Sequence, residues 1–355
     1  MTKTMRCYCI NHYNEPLVEM KMALPKPKAE EVLIKVQAAG VCHSDLHIWE
    51  GGYDLGGGEF LSLKARGATL PHTLGHETAG VVVSMGPNAT GVEVGESYLV
   101  YPWIGCGNCS TCISGNENLC TSGRPLGVLE PGGYAEYMLV PKPKYLLALN
   151  GLDPAIAAPF ACSGLTTYSA LKKLGNDIAT HFTVIVGAGG LGLMCVSILR
   201  AMGGKGAIVV DIDKKKRDAA LAAGAHAAID GNADNVAELL IQAAEGAPRS
   251  VIDFVGSPET TKLGFNILVK GGKLVVVGLY GGSVSLPIAL IPVRGVSIIG
   301  NLVGNLEELT ELMELVHSGK VPFIPITKQA LSEANDVLTR LKEGRVIGRT
   351  ILIPE

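Results

Sequence analysis

The chain has 355 residues, of which 47% are hydrophobic and 18% charged, with 45 glycines and a formal net charge of −3. That length suits two domains with separate cores, and the slight acidity leaves no basic field for nucleic acid or an anionic membrane. The opening MTKTMRCYCINHYNEP has no apolar stretch of signal-peptide length. A cytoplasmic protein is therefore expected, where thiols stay reduced and clustered cysteines indicate metal.

In chain order, the first half reads as β-rich, with short β-branched runs at Glu31–Ala38, Thr78–Ser84 and Tyr134–Val140 separated by Gly and Pro. Between the second and third runs lie Cys106, Cys109, Cys112 and Cys120, spaced C-x2-C-x2-C-x7-C. Four thiolates closed by short loops suit tetrahedral Zn²⁺, whereas cysteines two residues apart in a tight turn rarely reach relaxed disulfide geometry. A structural zinc is expected there. A nucleic-acid-binding zinc module would need basic flanks, and VYPWIG and TSGRPLGVLEPGG are not basic.

The character changes near Asp153. From Phe182, apolar strands alternate with helices: TVIVG, a helix to Met202, AIVVD, a helix from Lys214, AAID, a helix through Ala244, VIDFV, KLVVVG and VSIIGN. Such alternation indicates a parallel sheet covered on both faces. Leu274–Val293 is uncharged, but its glycines and Pro287 and Pro292 favour strand, turn and strand over a membrane span. The tail reads as helices at Leu306–His317 and Ala334–Lys342 and a last strand at Arg349–Ile353.

Gly187, Gly189, Gly190, Leu191 and Gly192 follow the first of these strands and open a helix. Glycines in that context permit a tight turn and close backbone approach to a pyrophosphate, which the helix N-terminus then receives. Asp211 ends the next strand, where a carboxylate accepts from ribose hydroxyls and repels a 2′-phosphate. NAD is thus expected over NADP. The run Lys214–Arg217 reads mainly as a solvated helical turn, with Lys216, and Val277 further on, as candidate cofactor contacts.

Cys42, His76 and Cys162 are each ambiguous alone, since a lone buried Cys is more often core than ligand. Together they can supply two thiolates and an imidazole, leaving the open fourth position of a catalytic zinc. With these residues the chain resembles the zinc-dependent medium-chain alcohol dehydrogenases: GVCHSDLH, LPHTLGHETAG, GCGNCSTCISGNENLC, ACSGLTTY, VGAGGLG and VVDID stand in the family's order along essentially the whole length.

The resemblance implies an α/β fold: a GroES-like β-rich catalytic domain (residues 1–155, rejoined by 297–355) and a doubly wound parallel Rossmann domain (156–296). It implies two zincs per chain, NAD, and reversible oxidation of primary or some secondary alcohols, aromatic or ω-hydroxy alcohols included, to aldehydes or ketones. Cys42, His76 and Cys162 match the catalytic-zinc ligands, Glu77 an acid beside the metal, and Asp45 the carboxylate that orients a ligand histidine. Ser44 and His47 match a proton relay, and His43 and Arg349 face the pyrophosphate. Tyr53 and Trp103 fall in pocket-lining regions. Cys7, Cys9 and Cys195 match no ligand position and read as packing residues. Apolar late strands such as VSIIGNLVG resemble those through which the family forms dimers, and bacterial members are commonly tetramers.

One departure stands out. Glu50–Thr73 is about a dozen residues longer than the family's usual connection. It looks like the segment of bacterial primary-alcohol and 6-hydroxyhexanoate dehydrogenases, in which Lys64 or Arg66 could meet an ω-carboxylate; both also read as solvated loop charges. The competing expectation is a non-catalytic, NAD-binding relative with structural zinc alone, which would lack the ligands present here.

Overall fold

A computed structural model describes residues 3–355. A mixed sheet occupies the first half, with neighbours in the order Leu146–Ala148, Ser97–Val100, Glu77–Met85, Val32–Gly40, Arg349–Ile353 and Ile326–Ala330; Tyr137–Val140 also pairs with Val32–Gly40. The final strand therefore returns to the sheet that began the chain, with Ile351 opposite Gly40. Thr4–Ile10, Val18–Ala23 and the short strand His72–Thr73 form a second, three-stranded sheet.

The second half holds a six-stranded parallel sheet in the order Ala227–Asp230, Ala207–Asp211, Thr183–Val186, Ser250–Asp253, Lys273–Val276 and Ser297–Gly300. Its central strands are buried on both faces: Val184, Ile185, Ile208, Val209, Val251 and Ile252 are all wholly buried. Each such side chain contributes about 1.5–3 kcal/mol of burial. The strand order reverses between Thr183–Val186 and Ser250–Asp253, so a crevice opens beyond their carboxyl ends, where doubly wound sheets bind ligands.

Ser297–Gly300 hydrogen-bonds to Lys273–Val276. The parallel unit therefore runs past residue 296, because strand pairing holds this segment in the sheet. The second strand expected within Leu274–Val293 does not form. After Lys273–Val276 the chain is irregular and then turns through the short helix Leu290–Arg294. Pro287 and Pro292 lack the N–H that a ladder requires. Helix Leu306–His317 has the expected limits, set by a reciprocal cap: Glu308 N–H donates to Asn305 Oδ1 at 2.9 Å and Asn305 N–H to Glu308 Oε2 at 3.0 Å.

Candidate active site

The two ligand thiols expected from sequence both sit at helix starts. Cys42 precedes the helix His43–Glu50 and Cys162 the helix Ser163–Leu174. Helix N-termini favour thiolates. His76 immediately precedes the strand Glu77–Met85, on Gly75, whose φ of +100° suits glycine. These elements bring a ligand atom from each of Cys42, His76 and Cys162 within 4.8 Å of one another, and all three residues are buried.

The donor set fits zinc on three observations. It contains two sulfurs and one imidazole, as metal sites with an open position do. The buried His76 Nε2 has no hydrogen-bond partner among the described residues. Asp45 Oδ1 lies 3.1 Å from His76 Nδ1, a close polar contact that lacks hydrogen-bond geometry, so it occupies that side of the ring and leaves Nε2 as the nitrogen free to face a metal. Taken by themselves, the protein groups are strongly polarised. The Cys42 thiol is held well below its usual range by a hydrogen bond with Cys162 and by the positive Arg349 and His76, while that same bond and burial push Cys162 up.

Behind this trio, Arg349 makes a two-pronged pair with Glu77: Nε donates to Oε2 at 3.0 Å, and the terminal nitrogen donates to Oε1. Both side chains are buried. Burial lifts Glu77 to about 7, although Arg349 pulls it back down. Burial opposes the Arg349 charge too, but Glu77 and Cys42 outweigh it and raise its pKa. Gly40 faces Glu77 across the sheet, and a Cβ there would lie 2.1 Å from Glu77 Oε2. Only glycine leaves room for the carboxylate.

One cavity of about 390 Å³ joins this trio to the dinucleotide loop. Cys42 and Cys162 line it, as do His43, Ser44, His47, Tyr53, Trp103 and Arg349. At its other end lie Gly187, Gly189, Gly190, Leu191, Gly192, Asp211, Lys216 and Val277. The glycines behave as a phosphate-binding turn requires. Gly187 has φ +93°, a Cβ on Gly192 would strike Gly187 O at 2.0 Å, and the space beside Gly189 is open to 4 Å. The helix Gly190–Ala201 begins without a side-chain cap, leaving its N–H groups for an anion. A smaller cavity between Pro16, Trp49 and Lys342 brings together none of the expected chemistry.

Asp211 is held by two backbone donors, Ala188 N–H at 2.7 Å and Asp213 N–H at 2.8 Å. Arg217 donates to Asp230 and to the Asp211 carbonyl, and Lys214 pairs with Asp218. Of the basic run, Lys216 is the member that reaches the cavity wall. His47 packs against Tyr53 with ring centroids 5.1 Å apart and the rings tilted by 43°; Tyr53 is carried by the hairpin Gly52–Gly56/Glu59–Ser62 inside the long connection. The hairpin leans across the cleft: a Cβ on Gly56 would meet Gly282 O at 2.4 Å. Lys64 and Arg66 are exposed and do not line the cavity. Trp103 packs against His76 at 5.6 Å and donates to the Ala161 carbonyl.

Sequence reasoning missed the walls formed by Leu279, Tyr280, Asn301, Leu302 and Val303. Val303 is a β-branched residue at φ +51°, a backbone costing about 1–3 kcal/mol, and its carbonyl is held by Asn301 Nδ2 at 3.0 Å.

The four-cysteine lobe is a closed cluster. Its sulfurs lie 3.5 Å (Cys109–Cys112), 3.8 Å (Cys109–Cys120) and 3.9 Å (Cys106–Cys112) apart. Tetrahedral zinc with Zn–S near 2.3 Å sets an S···S edge of about 3.8 Å. Glu117 ties the lobe to the body by accepting from Gly105 N–H, Lys144 and the Tyr145 hydroxyl. Burial acts against its charge, but Lys144 and Tyr145 outweigh it and lower its pKa. From the same lobe, Asn118 donates to the Leu302 carbonyl at 2.8 Å, so the cysteine loop buttresses the cleft wall.

The sequence matches the alcohol dehydrogenase GroES-like domain over residues 28–150 and the zinc-binding dehydrogenase domain over residues 190–318. An NAD-dependent alcohol dehydrogenase of Sulfurisphaera tokodaii is 40% identical over 99% of this chain and 100% of its own. A D-arabinose 1-dehydrogenase (NADP⁺) of Saccharolobus solfataricus is 34% identical over 97% and 96%. The crystal structure of an alcohol dehydrogenase from Aeropyrum pernix superposes with a TM-score of 0.88 at 31% identity, over 98% of this chain and 100% of that one. With the candidate metal-ligand trio and the glycine turn meeting at one cavity, and relatives matched from end to end, the chain belongs to the zinc-dependent medium-chain alcohol dehydrogenase family and is an oxidoreductase.

Proposed function

We propose that this protein is an NAD-dependent alcohol dehydrogenase that holds two zincs per chain and reversibly oxidises primary or some secondary alcohols, aromatic ones included, to aldehydes or ketones. The observation that carries the reading is the shared cavity, lined at one end by Cys42 and Cys162, with which His76 is clustered, and at the other by the glycine turn. Cys42, His76 and Cys162 would hold the catalytic zinc, and the four cysteines the structural one. Bound there, zinc supplies a Lewis acid that acidifies an alcohol, and the nicotinamide supplies a hydride acceptor.

The protein's own groups do the rest. Asp211 accepts from the cofactor ribose, and the uncapped helix Gly190–Ala201 receives its pyrophosphate, joined by His43 and Arg349. Ser44 takes the alcohol proton and His47, one turn along the same helix, passes it towards solvent. Burial, then the neighbouring His43, lowers the His47 pKa below its usual 6.5, so the ring is neutral and able to accept a proton at neutral pH. Tyr53, Trp103 and Leu302 make an aromatic and apolar wall, which excludes water and suits medium-sized alcohols. The position of Lys64 and Arg66 outside the cavity favours such alcohols over ω-hydroxy acids. We read the chain as a cytoplasmic homodimer or homotetramer. The unpaired edge of Ser297–Gly300 carries the exposed Ile298, and nearby Leu302 is exposed as well.

His47→Gln removes the proton acceptor while keeping a polar side chain. Alcohol oxidation is expected to slow roughly tenfold or more, with loss of the acid-side inflection in kcat/KM between pH 5.5 and 9. An unchanged profile removes His47 from the relay. The reading as a whole is tested by steady-state rates with NAD and NADP on zinc-assayed protein, from ethanol to octanol with benzyl alcohol, cyclohexanol and 6-hydroxyhexanoate. Two zincs and NAD-linked oxidation of the uncharged alcohols are expected. One zinc and no turnover would instead point to the non-catalytic relative.

A further inference from the structure

Behind the Cys42–His76–Cys162 trio lies a phenol that reaches neither the cavity nor the solvent. Tyr134 is wholly buried, and its hydroxyl donates to Asp45 Oδ2 at 3.1 Å. The same oxygen accepts the Cys42 N–H at 2.8 Å, while Asp45 Oδ1 stands 3.1 Å from His76 Nδ1. One carboxylate, itself wholly buried, thus gathers three groups, two of which belong to metal-ligand residues. The ring of Tyr134 also packs on Gly75, just before His76: a Cβ on Gly75 would lie 2.5 Å from Tyr134 Cδ1. Its backbone is fixed on both sides, by Tyr134 N–H to the Leu74 carbonyl at 2.9 Å and Tyr8 N–H to the Tyr134 carbonyl at 2.8 Å.

A phenylalanine would fill this space equally well. A buried hydroxyl costs desolvation unless it is bonded, and this one is spent on Asp45. A buried carboxylate with several acceptor sites would turn more freely with a donor removed, and the His76 ring would turn with it. We propose that Tyr134 is a positioning residue for the catalytic zinc: its hydroxyl locks Asp45, and through Asp45 it sets the His76 ring and the Cys42 backbone. The inference rests on the reading that the trio holds zinc.

The test is zinc release from the purified, zinc-loaded enzyme to a chelating dye, together with the visible spectrum of the cobalt-substituted protein. The four-cysteine site in the same molecule is the internal reference. Tyr134→Phe is expected to speed release from the trio about three- to tenfold and to shift the cobalt bands, with the reference phase unchanged. D45N should release faster still, and the Y134F/D45N double variant no faster than D45N alone. Release at the wild-type rate, both phases speeding together, or additive effects in the double variant would each overturn the role of Tyr134. A wild type that takes up zinc at the four cysteines alone would overturn the zinc assignment itself, and the role of Tyr134 with it.

Discussion

Cys42→Ser is expected to cut alcohol turnover by on the order of 10³-fold or more, to halve the zinc content, and to leave NADH binding nearly unchanged. The reason is spatial. Cys42 belongs to the buried trio at one end of the cavity, whereas Gly187–Gly192 and Asp211, proposed to hold the cofactor, lie at the other. His76→Ala should behave in the same way. Cys112→Ser provides the contrast. It too should cost one zinc, but its lobe supports the cleft from outside, through contacts such as Asn118 to Leu302, so the loss should appear first in the melting midpoint. Zinc analysis, fluorescence titration with NADH and steady-state kinetics on Cys42→Ser, His76→Ala and Cys112→Ser separate these effects. Full activity in a Cys42 variant lacking that zinc would remove the trio from catalysis.

The parts of this protein that repeat a local rule were legible in its sequence. The strands Ala207–Asp211 and Ala227–Asp230 and the helix Leu306–His317 fall where the alternation of apolar runs with helical stretches put them. The cysteine lobe was legible because its ligands sit within a few residues of one another. The trio needed the family pattern, because Cys42, His76 and Cys162 come from three separate elements and none has a local signature. Leu279, Tyr280 and Asn301–Val303 escaped notice because they lie on irregular segments whose position depends on distant partners. Tyr134 escaped for a related reason. It read as the start of a strand, and only the fold carries its hydroxyl to Asp45, far earlier in the chain.

Arg349 is the instructive intermediate. The family resemblance assigned it to the pyrophosphate, and its guanidinium stands beside Gly190, where a Cβ would approach one terminal nitrogen to 2.8 Å. Its other nitrogens are committed to Glu77. One residue thus links the dinucleotide turn to the acid behind the metal ligands, a double duty that no spacing rule encodes.

Arg349→Met should expose both duties. Removing one partner of a buried pair costs about 3–5 kcal/mol when the other stays charged, but Glu77 can take up a proton instead. Its folded pKa is raised from 4.5 to about 7, chiefly by burial. The proton it holds in the folded state therefore contributes stability that is fully present below 4.5 and lost as pH rises through about 7. Without Arg349, which pulls this pKa down, the rise is larger and its window extends further upward. At pH 6 Glu77 is mostly protonated in either protein and the variant should melt close to wild type. At pH 8 wild-type Glu77 is ionised and paired, so the variant should lose most of the pair's contribution. NADH affinity should fall at both pH values, because the cation beside Gly190 is gone. Adding Glu77→Gln to the variant should restore stability at pH 8 without restoring NADH affinity. Thermal melts and NADH titrations at the two pH values, on protein freed of metal at the trio, decide the matter: a stability loss equal at pH 6 and pH 8 would mean that the Glu77 proton does not govern it.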